Sequence, residues 1–80
     1  MMEDEKIKKV IKKEFNIDDN IIIPTALLKD DLGLSSLDLV KLIISLEEIF
    51  SISIPDEGLD DILSVHDIIS YVKGIINEKT

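Results

Sequence analysis

Residues 37–50 carry more apolar positions than a single buried face of a helix can use. At about 100° per residue, Leu39, Leu42, Ile43, Leu46 and Phe50 share one sector. Leu37, Val40 and Ile44 fall roughly opposite, beside Lys41, Glu47 and Glu48. Such a helix either sits buried on all sides or leaves an apolar stripe in water. Lys41 and Glu48 lie in the second sector and resist burial. The pattern therefore predicts a core face and, across from it, an exposed apolar stripe with an acidic rim. That is the construction of a surface for transient partners.

Two more stretches have helical period. Ile7, Val10, Ile11 and Phe15 form one stripe, and Glu3, Asp4 and Glu5 precede Lys6, Lys8, Lys9, Lys12 and Lys13 as a helix dipole favours. This predicts a helix over 3–15, ending near Asn16. Val65, Ile68, Ile69, Val72 and Ile76 place a last helix over 65–77. Ser35 with Asp38, and Ser64 with Asp67, are Ser-x-x-Asp signatures of helix starts, a capping box with Asp in place of Glu. Pro55 before Asp56 and Glu57 suits the opening of a short helix at 56–61. Between the first two helices runs a long connection, 16–35. Ile21, Ile22 and Ile23 have strand propensity, but Pro24 follows and no second strand candidate exists. Packing of this connection across the helices is the expectation, and a loop so long is often functional. The fold class predicted is all-α: a small four-helix bundle, three main helices and one short, in a single domain over 1–80.

Composition narrows the chemistry. Leu, Ile, Val and Phe make up 32 of 80 residues, enough for an aliphatic core despite a net charge of −8. Without Cys there is no disulfide, thiolate metal site or Cys nucleophile. His66 is the single imidazole, in the first turn of the last helix, where a solvent-facing position is expected. The acidic pairs match no calcium-loop spacing, so no metal is assigned. All nine basic residues are lysines, and they are outnumbered by seventeen acids, so nucleic acid is not an expected partner. No apolar run reaches a membrane span, and the N-terminus has no targeting pattern, which points to a cytoplasmic protein. Residues 30–67 hold ten acids and one lysine, Lys41, for a net −9. This block suits docking of basic partners.

Ser36 sits where the second helix begins. With Ser35 as cap, its hydroxyl points to solvent beside main-chain N–H groups that favour an anion. From spacing alone, the favoured reading is that the two serines are merely alternative caps.

The segment Leu32-Gly33-Leu34-Ser35-Ser36-Leu37-Asp38, the apolar helix with Leu46-Glu47-Glu48 near its end, and Ile54-Pro55-Asp56-Glu57 together resemble the acyl carrier protein family. The match is collinear over nearly the whole chain. The resemblance implies a non-catalytic carrier. A phosphopantetheinyl transferase would move 4′-phosphopantetheine from coenzyme A onto Ser36. The arm's thiol would then carry acyl groups as thioesters to acyl-transfer and synthase enzymes of fatty acid or related biosynthesis. It also implies that the bundle core can shelter an acyl chain, that the protein is a monomer, and that partners meet Leu37, Asp38, Val40, Ile44, Glu47, Glu48, Ile54 and Asp56. An aminoacyl, D-alanyl or polyketide cargo, or an unmodified interaction module, are the alternatives. Three positions depart from the family pattern: Ser35 replaces Asp, Lys41 an acid, and Ser45 an Ala.

Crowding of net −9 into the middle of the chain should destabilise the fold at low salt. Thermal melts are expected to rise with added salt or divalent cation; midpoints that do not rise count against this.

Overall fold

Residues 2–79 are described by the structure, a computed structural model, with side chains at all but positions 2, 56–58 and 79. Three α-helices account for most of them: α1 (Met2–Phe15), α2 (Ser36–Phe50) and α3 (Val65–Lys79). Two 3₁₀ segments, Asp19–Ile21 and Asp56–Asp61, lie in the connections. There are no strands among the described residues, only an isolated antiparallel bridge between Leu27 and Ser64. The all-helical expectation is met. The expected short helix at 56–61 takes 3₁₀ form rather than making an α-helical fourth member.

Both longer boundaries follow from local chemistry. Asn16 and Ser51 adopt left-handed backbone conformations, φ 54° and 53°, which end α1 and α2. Ile17 N–H then reaches the Lys12 carbonyl at 3.3 Å, and Ile52 N–H the Glu47 carbonyl at 3.1 Å. These bonds occupy carbonyls that a helix end leaves unpaired. Before α3, Ser64 Oγ accepts from Asp67 N–H at 3.1 Å. Asp67 Oδ2 accepts from the N–H groups of Leu63 and Ser64, both at 3.0 Å.

The core is aliphatic. Ile7 and Ile11 of α1, Leu42, Ile43 and Leu46 of α2, and Val65, Ile68, Ile69 and Val72 of α3 are buried together. Leu39, Phe50 and Tyr71 are partly buried against them. The long connection adds Ile22, Ala26, Leu28, Leu32 and Leu34, so it packs as a structural layer. Ile21 and Ile23 point outward on either side of Ile22, and the isoleucine run forms no strand.

Polar contacts fix how the elements meet. Ser45 Oγ donates to Glu14 Oε1 at 2.7 Å, joining α2 to α1. Lys73 Nζ lies 3.2 Å from Asp4 Oδ1, joining α3 to α1. The connection is tied to the segment before α3 by main-chain bonds: Leu28 N–H to Leu63 O at 2.9 Å, Val65 N–H to Ala26 O at 3.0 Å, and His66 N–H to Pro24 O at 3.0 Å. His66 is exposed, as expected.

Two predictions come from the caps. Ser64→Ala removes the acceptor for Asp67 N–H and should cost about 1 kcal/mol in urea unfolding. The N–H groups of Leu63 and Ser64 lower the pKa of Asp67, and that of Ser35 lowers the pKa of Asp38. A carboxylate whose folded pKa is depressed stabilises fully above its unfolded value, about 3.9, and loses that contribution as pH falls through the folded value. Unfolding free energy should therefore drop on acidification below about pH 4, and the drop should be shallower in Asp38→Asn/Asp67→Asn. An equal slope in that variant would refute the assignment.

Candidate functional site

Ser35 and Asp38 set the start of α2. Ser35 Oγ accepts from Asp38 N–H at 3.2 Å, and Asp38 Oδ2 accepts from Ser35 N–H at 3.0 Å. Because Ser35 makes this reciprocal cap, Ser36 is the first helical residue and its side chain is exposed. The two serines therefore have different positions in the structure: one closes the helix, the other faces outward.

A tight turn brings Lys29 to the same place. Asp31 Oδ2 accepts from Leu27 N–H at 2.7 Å, and the N–H groups of Asp31 and Leu32 return to Leu27 O. Gly33 follows with φ 73°, the left-handed region in which a Cβ is strained. Leu34 N–H then bonds Leu28 O at 3.0 Å and hands the chain to the cap. Lys29 Nζ, carried on this turn, donates to Ser36 Oγ at 3.4 Å.

Ser36 and Lys29 stand at the wall of an open cleft of about 430 Å³. Leu27, Val40, Leu59 and Leu63 give it an apolar lining, and Asp30 and Asp60 add charge. Leu28, Leu39, Leu59 and Ile62 of this cleft also line a second, narrow space of about 20 Å³, which reaches Leu42, Ile43 and Ile68 in the core. A polar mouth with an exposed serine hydroxyl thus adjoins an aliphatic interior.

The expected stripe along α2 is present. Leu37 is 75% exposed, Val40 47% and Ile44 50%, while Leu42 and Leu46 across the helix are fully buried. Lys41 and Glu48 are exposed beside them. Burial of α2 on all sides is thereby excluded. Ile49 is also exposed and was not singled out by the helical wheel.

Other expected recognition residues are placed differently. Ile54 is 5% exposed and belongs to the core, so its side chain is not offered to a partner. Glu47 is half-buried, and its Oε2 accepts from Ile54 N–H at 2.7 Å. Asp38 is half-buried and occupied by the cap. The side chain of Asp56 lies outside the described residues. Lys29 was missed by sequence reasoning; the available signal was a lysine immediately before the acidic block.

No helix is long and apolar enough to cross a membrane, and no group of three or more His, Cys, Asp or Glu could hold a metal, among the described residues. A family profile described as a phosphopantetheine attachment site matches residues 5–72. An acyl carrier protein of Syntrophobacter fumaroxidans (strain DSM 10017 / MPOB) is 45% identical over 67 residues, which cover 84% of this chain and 83% of the relative.

Glu47→Ala would leave Ile54 N–H without its acceptor. A loss of about 1 kcal/mol is expected in urea unfolding, with faster amide exchange at Ile54; unchanged exchange there would show the bond to be unimportant.

Proposed function

The chain belongs to the phosphopantetheine-attachment family of acyl carrier proteins, and from that premise we propose that Ser36 is its attachment residue. The protein is a non-catalytic carrier whose prosthetic group is 4′-phosphopantetheine. When bound, that group supplies the thiol on which acyl groups are held as thioesters. The absence of Cys from the chain agrees with a sulfur that arrives with the cofactor.

The single observation that carries the Ser36 assignment is the division of labour between the serines. Ser35 Oγ is engaged by Asp38 N–H, whereas Ser36 is exposed on the first turn with an ammonium 3.4 Å away. The residues present suit a phosphodiester: an accessible hydroxyl to esterify, a positive helix end and a lysine beside it. In loading, Ser36 Oγ would form a new O–P bond and give up its proton to a base of the transferase or to water, while the diphosphate P–O bond of coenzyme A breaks and adenosine 3′,5′-bisphosphate leaves. The cleft beside Ser36 and the aliphatic space beneath it suit an acyl chain.

Leu37, Val40 and Ile44 with Glu48 form the docking stripe in this reading, and Asp38, Glu47 and Ile54 act by shaping the helix start and its exit. Asp56 is the further acidic contact. Basic patches on the transferase and on acyl-transfer and synthase enzymes of fatty acid or related biosynthesis are the complementary surfaces. The 3₁₀ segment Asp56–Asp61 stands as the short fourth member of the bundle, residues 1–80 act as one carrier domain, and the carrier works as a cytoplasmic monomer.

The test is intact-mass spectrometry after incubation with coenzyme A, magnesium and a phosphopantetheinyl transferase. The wild type is expected to gain one phosphopantetheine and Ser36→Ala none, while Ser35→Ala still gains it. Loading of Ser36→Ala would overturn the assignment.

A further inference from the structure

The surroundings of Ser36 are electrostatically unusual for a site that takes an anion. From residue 30 to residue 67 the only cation is Lys41, among ten acids. A phosphodiester at Ser36 adds one more negative charge to this block, close to Asp30 and Asp38 along the chain. Lys29 stands just outside the block in sequence, yet its Nζ donates to Ser36 Oγ. Among the described residues no carboxylate lies within ion-pair range of that ammonium, and its contact there is with Ser36.

That contact changes in character once Ser36 is esterified. The ester oxygen is a poor acceptor, and the charge moves outward to the non-bridging phosphoryl oxygens. A lysine ammonium is a mobile point charge on a flexible stem and can follow them. An ammonium–hydroxyl contact of 3.4 Å becomes an ion pair between ammonium and phosphate, which is shorter and stronger. The backbone that carries Lys29 stays in place, because Leu28 N–H is bonded to Leu63 O and Leu34 N–H to Leu28 O.

We propose that Lys29 is the phosphate-holding residue of the loaded carrier. Its ammonium pairs with the phosphodiester on Ser36 and, with the N-terminus of α2, holds that phosphate at the wall of the cleft that Lys29 and Ser36 both line. The inference rests on Ser36 as the attachment residue.

The experiment compares apo and fully loaded forms of wild type, Lys29→Gln and Lys29→Arg, with loading checked by intact mass. Three readouts are taken: the ³¹P resonance of the diester, the difference in melting midpoint between loaded and apo forms, and proton cross-relaxation between the Lys29 ε-methylene and the methylene next to the arm's phosphate. The expected result is a ³¹P shift that differs between wild type and Lys29→Gln at low salt and converges at high salt. The loaded-minus-apo midpoint should fall by roughly 2–5 °C in Lys29→Gln, with Lys29→Arg restoring most of it. Cross-relaxation should be seen in the loaded wild type, a measurement that stands even if Lys29→Gln resists loading. Loaded wild type with no cross-relaxation, or with the same ³¹P shift and midpoint difference as Lys29→Gln, overturns the proposal alone. A wild type that gains no mass, or gains it elsewhere than Ser36, overturns it together with the attachment assignment.

Discussion

The site depends on three main-chain hydrogen bonds that join the long connection to the segment leading into α3. Leu28 N–H to Leu63 O, Val65 N–H to Ala26 O and His66 N–H to Pro24 O turn an irregular stretch of chain into a wall. Because both partners are backbone, the attachment is indifferent to which side chains point outward. It leaves Lys29 and Asp30 exposed on a turn while Leu28, Leu32 and Leu34 face the core. The turn then delivers the chain to Ser35 with little freedom, and the cap with Asp38 sets where α2 begins. A start one residue later would make Ser36 the cap and leave Ser35 outside the helix.

The second helix serves the core and the surface at once. Leu42 and Leu46 are fully buried, and burial of such side chains contributes about 1.5–3 kcal/mol each. Leu37, Val40 and Ile44 forgo that gain and stay in water. A domain of this size has little stability to spare, so an apolar stripe kept exposed is most simply understood as area buried intermittently against other proteins. The charged neighbours keep it from associating without selection. Ser45 and Glu14 hold the back of the helix to α1, so the front can be engaged and released without shifting its packing.

Much of this was legible in the sequence, and the limits have physical causes. Periodicity located all three helices, since each is amphipathic, and the Ser-x-x-Asp signatures marked two starts that the hydrogen bonds bear out. The stripe on α2 was legible because lysine and glutamate share its sector. The Leu27–Ser64 bridge was not, because a single bridge between two irregular segments has no period. The surroundings of Glu47 and Ile54 were not legible for a related reason. A helical wheel assigns directions to side chains on a helix, but Ser51 in a left-handed conformation folds the following chain back on it. That reversal buries Ile54 and gives its N–H to the Glu47 carboxylate. Lys29 escaped notice because the six residues between it and Ser36 are spanned by a turn, not by a helix.

Among the described residues, the narrow space under the cleft is bounded by Leu28, Leu39, Leu42, Ile43, Leu59, Ile62 and Ile68. Every one of these walls is hydrocarbon, and their side chains need break no hydrogen bond to move apart. Widening it asks for rotamer changes and the surrender of dispersion contacts, each worth only about 0.1–0.2 kcal/mol per atom pair. The interior is thus elastic where it adjoins the mouth and stiff where the backbone is laced, so a guest chain could be admitted a few carbons at a time without the frame unfolding.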